Sequence, residues 1–239
     1  MYLRLGIFLS FFFIGCSGLH WDYLVFTQRW PVSFCSYTVC TPLPKPVDFV
    51  VHGLWPSLGD GDSPSHCNAA PAFDRDRLKP LLPELRREWP NLLPDTTADN
   101  FWKHEWDKHG KCASEDSLMA NELQYFNVSL GLRRSSSVLK QLHDHGIIPS
   151  NDTLHQRDDV INALLSAYNV RPTINCIKIH GATARLNEIH LCYSPSLRLI
   201  DCPVKSSCPV DSCSLGDVNR QSPVECPQSL IFPSPTNSR

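Results

Sequence analysis

Between Phe101 and Cys112 the chain reads Phe-Trp-Lys-His-Glu-Trp-Asp-Lys-His-Gly-Lys-Cys, with two imidazoles, a carboxylate and an ammonium inside six residues. His104, Glu105, Lys108 and His109 together can take up a proton, release one and hold negative charge between. With Asp99-Asn100 as N-cap and Gly110 as stop signal, the stretch reads as one short helix. At about 100° per residue the four groups share one broad face, Trp102 and Trp106 extend it into an aromatic wall, and Lys103 and Asp107 form an i,i+4 pair on the far side.

Two rivals stand beside this reading. A zinc hydrolase motif is His-Glu-x-x-His, whereas this spacing is His-Glu-x-x-x-His, which turns His109 roughly 140° from His104 on a regular helix and keeps the imidazoles from converging on one ion. The other rival is a solvated helix with incidental histidines, against which the two large indoles argue for a cleft.

A second element must bring the partner group. Val47–His52 is an apolar run ending in His52 and stopped by Gly53, followed by Leu-Trp55-Pro56, so it reads as a strand that delivers an imidazole to a cleft. Taken alone, His52 is more often a structural histidine, and its weight comes from the partner helix. Trp21–Trp30 is aromatic, β-branched and partly alternating, and also reads as a strand. Helical spacing runs through Arg75–Trp89, kinked by Pro80 and Pro83. It recurs through Asp116–Leu132, with Leu118, Met119, Leu123, Phe126 and Leu130 inward, and through Ser137–His145 and Leu154–Tyr168. Ile174–Ile179 and Leu186–Tyr193 alternate as two antiparallel strands, and the tail from Pro203 reads as irregular. The fold class expected is α+β, a central antiparallel sheet flanked by helices in one disulfide-stapled domain.

Residues 1–18 have an Arg4 n-region, an apolar Leu5–Ile14 core and a small-residue end at Gly18, the pattern of a secretory signal peptide, with residues 19–239 as the mature domain. Phe13-Ile14-Gly15-Cys16 also carries a weak likeness to a bacterial lipoprotein box. No later segment is apolar for long enough to span a bilayer. Ten of the 11 cysteines lie beyond the leader, an even number that favours five disulfides in an oxidising compartment and no catalytic thiol. With 22 Lys+Arg against 24 Asp+Glu there is no global basic field, so a nucleic acid would be held locally by a few cations and stacking rings. Asn127-Val-Ser and Asn151-Asp-Thr are N-glycosylation sequons.

Two imidazoles on separate elements, with a carboxylate and an ammonium, suit phosphodiester cleavage, and with RNA the substrate's own 2′-hydroxyl is a sufficient nucleophile. The chain has no G-x-S-x-G elbow, P-loop or clear metal cluster. Phe49-Val-Val-His-Gly-Leu-Trp-Pro56 and Phe101–Cys112 resemble the two active-site segments of the T2 family of secreted acid ribonucleases, of the animal type, and Gln28-Arg-Trp-Pro31 with Cys35 resembles that family's first strand. The first active-site segment has valines where Thr-Ile is commoner.

The resemblance implies a metal-independent, cofactor-free endoribonuclease, monomeric and not bound to membranes, that acts on single-stranded RNA in the extracellular space or the lysosomal or endosomal lumen. It implies His52 as general acid and His109 as general base, Glu105 and Lys108 as stabilisers of the phosphorane, and His104 as a phosphate ligand, with a 2′,3′-cyclic phosphate product. Trp55, Trp102 and Gln28 become candidates for holding a base. It implies the bridges Cys35–Cys40, Cys67–Cys112, Cys192–Cys202 and Cys176–Cys226, with Cys176–Cys208 as the plant-type alternative to the last. Cys208 and Cys213 are left for each other, a pair without counterpart in the family. A binding or signalling glycoprotein on the same scaffold is the competing reading, against which intact His52, Glu105 and His109 argue.

Overall fold

The computed structural model describes residues 19–64, 67, 70–178, 182–203 and 224–235. The leader read in residues 1–18, and Cys208 and Cys213, lie outside them.

Among the described residues eight strands form one sheet: β1 (Tyr23–Arg29), β2 (Val50–Ser57), β3 (Leu154–Gln156), β4 (Thr173–Ile177), β5 (Arg185–Tyr193), β6 (Leu199–Ile200), β7 (Val224–Glu225) and β8 (Ser229–Ile231). The main path runs β2-β1-β5-β4-β7, while β6 adds to β5 and β8 joins β3 to β5. Every pairing is antiparallel except β5 with β8, which meet in parallel at Arg185 and Ile231, so the sheet is mixed. The tail expected to be irregular therefore contributes two short strands, and Leu154–Gln156, expected to open a helix, instead pairs with one of them. Phe232, just past β8, is fully buried with its ring 4.9 Å from Trp30, whose indole donates to the Pro233 carbonyl at 2.9 Å. Burying that aromatic pins the tail to the core.

The helices are α1 (Pro31–Phe34), α2 (Leu82–Glu88), α3 (Ala98–Glu105), α4 (Lys111–Ala113), α5 (Glu122–Ser135), α6 (Val138–Asp144) and α7 (Arg157–Tyr168). A 3₁₀ helix over Arg75–Leu81 leads into α2 at the predicted proline kink. The long helix expected from Asp116 begins later, because Asn121 caps it by accepting from the Gln124 amide. Tyr125, Phe126 and Leu130 face the core, as does Met119, whereas Leu118 and Leu123 are exposed.

β2 continues past its predicted stop. It runs through Gly53 to Ser57 as an edge strand, where Pro56 breaks no central ladder. A β-bulge interrupts its pairing with β1: Thr27 faces Gly53, Gln28 faces Val51, and His52 is the extra residue between. The His52 carbonyl accepts the Trp89 indole at 3.0 Å, and the Trp102 indole donates to the Trp89 carbonyl at 2.9 Å. Two buried tryptophans thus fix the bulge that aims His52.

Four disulfides lie among the described residues, Cys35–Cys40, Cys67–Cys112, Cys176–Cys226 and Cys192–Cys202. Cys176 takes Cys226 and not Cys208. No helix among the described residues is long and apolar enough to cross a membrane.

Candidate active site

The segment from Phe101 to Cys112 is not one regular helix ending at Gly110. α3 is capped by Thr97, whose side chain accepts from the Asn100 amide, not by Asp99-Asn100. It passes into a π-helical turn over Trp106–Gly110 and then into α4. A π turn is wider than an α turn and re-aims the side chains it carries, so regular azimuths end at Glu105. Gly110 has helical dihedrals and does not stop the chain; a Cβ there would lie 2.3 Å from the Trp106 ring. Its smallness lets Trp106 fold back over the turn, and Trp106 is fully buried.

His52 from β2, Glu105 from α3 and His109 from the π turn line one cleft of about 800 Å³, together with Trp55, His104 and Lys108. Trp55 stands between the two imidazoles. Its ring centroid is 5.0 Å from that of His52, nearly perpendicular, and 5.3 Å from that of His109, tilted by 31°. Its indole nitrogen donates to Glu105 Oε2 at 3.0 Å. That bond passes over Gly53, where a Cβ would come within 2.0 Å of Trp55 Nε1 and 2.3 Å of Glu105 Oε2. Gly53, which the sequence offered as a strand stop, serves this close contact instead.

Sequence reasoning missed a second layer. Strand alternation puts Thr27, Arg29, Glu188 and His190 on the cleft face of β1 and β5, where Arg29 faces Glu188 and Thr27 faces His190. Glu188 is almost completely buried, and its Oε1 lies 2.7 Å from His52 Nδ1. The same oxygen accepts from Arg29 Nε at 3.0 Å and Nη2 at 2.8 Å. Arg29 is stacked over the Phe34 ring, 4.3 Å from its centroid. The available signal was a charged residue inside the apolar run Leu186–Tyr193, which a strand on a core has no reason to bury unpaired.

Gln28 and Trp102 do not reach the cleft. Gln28 points to the opposite face of β1, fully buried, with its amide donating to Ser136 Oγ at 3.1 Å. Trp102 is also fully buried and serves Trp89. A hollow of about 380 Å³ adjoins the site, bordered by Arg29, Asn91, Leu92, Phe101 and His104, and the Phe101 ring lies 6.2 Å from His52 in stacked orientation.

Burial shapes the acid–base properties. It lowers the His52 pKa to about 4, with Arg29 adding to the effect and Glu188 opposing it. Burial likewise lowers His109 to about 3, helped by the charges of Lys108, His104 and His52. It raises Glu105 to about 7 against the pull of the Trp55 indole and Lys108. Burial also penalises the Glu188 carboxylate, but His52, His190 and Arg29 outweigh it and hold the group well below the usual range, so it stays ionised. Among the described residues no group of three or more His, Cys, Asp or Glu side chains is placed to hold a metal ion.

Fold and site together define a class, a disulfide-stapled α+β protein whose cleft is lined by imidazoles, a buried carboxyl group and an ammonium. Residues 21–202 match the family model described as the Ribonuclease T2 family, and the chain belongs to that family. It is 36% identical over 197 residues to Ribonuclease Oy of Magallana gigas, covering 79% of this chain and 92% of that protein. The human RNase T2 crystal structure superposes with a TM-score of 0.70 at 29% identity, over 89% of this chain and 98% of that one. RNase NT in complex with 5′-AMP gives a TM-score of 0.72 at 27% identity, over 89% and 98%.

Proposed function

We propose that the protein is an endoribonuclease that cleaves single-stranded RNA by metal-independent transphosphorylation through a 2′,3′-cyclic phosphate. The observation that carries the reading is that His52 and His109, from different elements, border one cleft on either side of Trp55. In the first step His109, neutral, takes the proton of the 2′-hydroxyl, and the oxygen attacks the adjacent phosphorus. His52, protonated, gives its proton to the departing 5′-oxygen. Hydrolysis of the cyclic phosphate runs these transfers in reverse.

Charge that builds on the phosphorane faces Lys108 and His104, both exposed at the cleft. With a pKa near 7, Glu105 is a neutral acid in mildly acidic solution and can donate a hydrogen bond to a phosphoryl oxygen while its other oxygen keeps the Trp55 indole. Phe101, at the adjoining hollow, takes the base-stacking role that Trp102 is too deep to fill.

Burial lowers both imidazoles, so the productive form, with one ring protonated and one neutral, is a species of acidic solution. Work in an acidic compartment fits, as do the four disulfides. Residues 1–18 as leader, a secreted or lysosomal destination and glycans on Asn127 and Asn151 complete the reading. Both asparagines are exposed, Asn127 on α5 and Asn151 in a loop. The test is incubation of the purified protein with single-stranded RNA at acid pH with EDTA. Cleavage with cyclic phosphate ends supports the reading, and activity that vanishes with the chelator overturns the metal-independent chemistry.

A further inference from the structure

Glu188 is a carboxylate buried beside one of the two imidazoles, on a strand that supplies none of the groups assigned so far. An ionised carboxylate only accepts hydrogen bonds. Its Oε1 is 2.7 Å from His52 Nδ1, while Arg29 Nη2, which can only donate, stands 2.8 Å from Nδ1 and 3.0 Å from Nε2; the contact with the carboxylate is a hydrogen bond when Nδ1 carries the hydrogen, and Arg29 then faces Nε2. Arg29 grips that same oxygen through two nitrogens and is itself held against Phe34, which leaves the carboxylate little freedom. His190 Nε2 lies 3.6 Å from the other oxygen, and the far ring nitrogen of His190 is 3.3 Å from Thr173 Oγ1. The cluster therefore spans β1, β2, β4 and β5; Arg29, His52 and His190 surround Glu188, and the Glu105 carboxyl and the Tyr37 phenol also feel its charge.

We propose that Glu188 is the positioning residue for His52: it holds the ring by Nδ1–H and leaves Nε2 as the atom that passes a proton to the leaving oxygen. This rests on His52 being the general acid. The balance is complete within the site. Imidazolium loses the Nε2 proton to the 5′-oxygen as the P–O bond breaks, and the neutral ring that remains keeps Nδ1–H on Glu188. Arg29 anchors the carboxylate, so that it stays charged through the cycle. A glutamine at 188 keeps the shape but loses the charge, and can turn its NH₂ toward Nδ1 to favour the wrong tautomer.

Two measurements test this. In ¹⁵N-histidine-labelled protein above pH 6, the His52 ring is expected to show the hydrogen on Nδ1, a readout independent of activity; a hydrogen on Nε2 overturns the proposal. In dinucleotide cleavage, Glu188→Gln should lower kcat about 10- to 100-fold with KM nearly unchanged. The alkaline limb of its kcat/KM profile should move to lower pH, because the carboxylate that favours imidazolium is gone. Glu188→Asp should recover part of the rate. A Glu188→Gln enzyme with wild-type kcat and profile sinks the positioning role while cleavage by the wild type leaves the ribonuclease reading standing. A wild type that does not cleave RNA sinks that reading instead, and the tautomer result still stands on its own.

Discussion

The two imidazoles at the centre of the cleft are held by different physics. His52 sits on a strand bulge and meets Glu188 and Arg29 directly, the two being paired with each other as well. His109 sits on a π turn, and among the described residues no hydrogen bond engages its ring; burial beneath Trp55 and Lys108 beside it define its environment. The difference teaches that a strand can borrow neighbours at fixed 4.7–4.9 Å spacing to build a polar clamp, whereas a helical turn must rely on shape. On the proposed roles, one site carries an acid set by charge and a base set by shape.

The comparison breaks first if either imidazole proves dispensable. His52→Ala and His109→Ala are each expected to lower the cleavage rate by about 10²- to 10⁴-fold, measured on a defined dinucleotide. Wild-type rates in either variant would remove that imidazole from the chemistry.

The pH profile sharpens the contrast next. His109 must be neutral, so kcat/KM should rise as pH passes about 3, and His52 must be protonated, so it should fall as pH passes about 4. A narrow bell in acid is expected, and a flat profile from pH 4 to 8 would count against it. Arg29→Met should move the alkaline limb, because it alters charge around His52, whereas changes around the π turn should lower the rate without moving that limb.

Shape is tested by Gly110→Ala. A methyl group 2.3 Å from the Trp106 ring must displace that buried indole, and a loss of about 1–3 kcal/mol in urea unfolding is expected. An unchanged midpoint would mean the π turn is not packed as described.

The smallest effect concerns Glu105. Its pKa is raised in the folded state, so the stability it contributes is present below about 4.5, the unfolded value, and is lost as pH rises through about 7. Glu105→Gln should therefore raise the melting temperature at pH 8 by several degrees and leave it nearly unchanged at pH 4. The histidines act in the other sense, since their lowered values make the fold lose stability as pH falls below 6.5.

Local pattern made the main strands, the helical segments and the His-Glu-Lys-His cluster legible in the sequence, while the pairing of the four described disulfides came from the family resemblance and not from spacing. What it hid depends on partners distant along the chain. The bulge at His52 exists only once β1 sets its register, and Trp102 is revealed as a prop for that bulge only when Trp89 is seen beside it. Gln28 reads as polar and available, yet its parity on β1 sends it to the core while its neighbour Arg29 faces the cleft. Glu188 and His190 looked like ordinary strand residues because their partners lie some 15 to 160 positions away. The π turn has no periodic signature, and the strands of the tail are too short to declare themselves before β3 and β4 offer an edge.

The central claim is that a strand-borne acid and a turn-borne base act together on one phosphate without a metal. Its most direct test is the product formed from a dinucleoside monophosphate at acid pH in the presence of EDTA. The account predicts a nucleoside 2′,3′-cyclic phosphate that converts more slowly to the 3′-phosphate; a 5′-phosphate product, or an intact substrate, would contradict it.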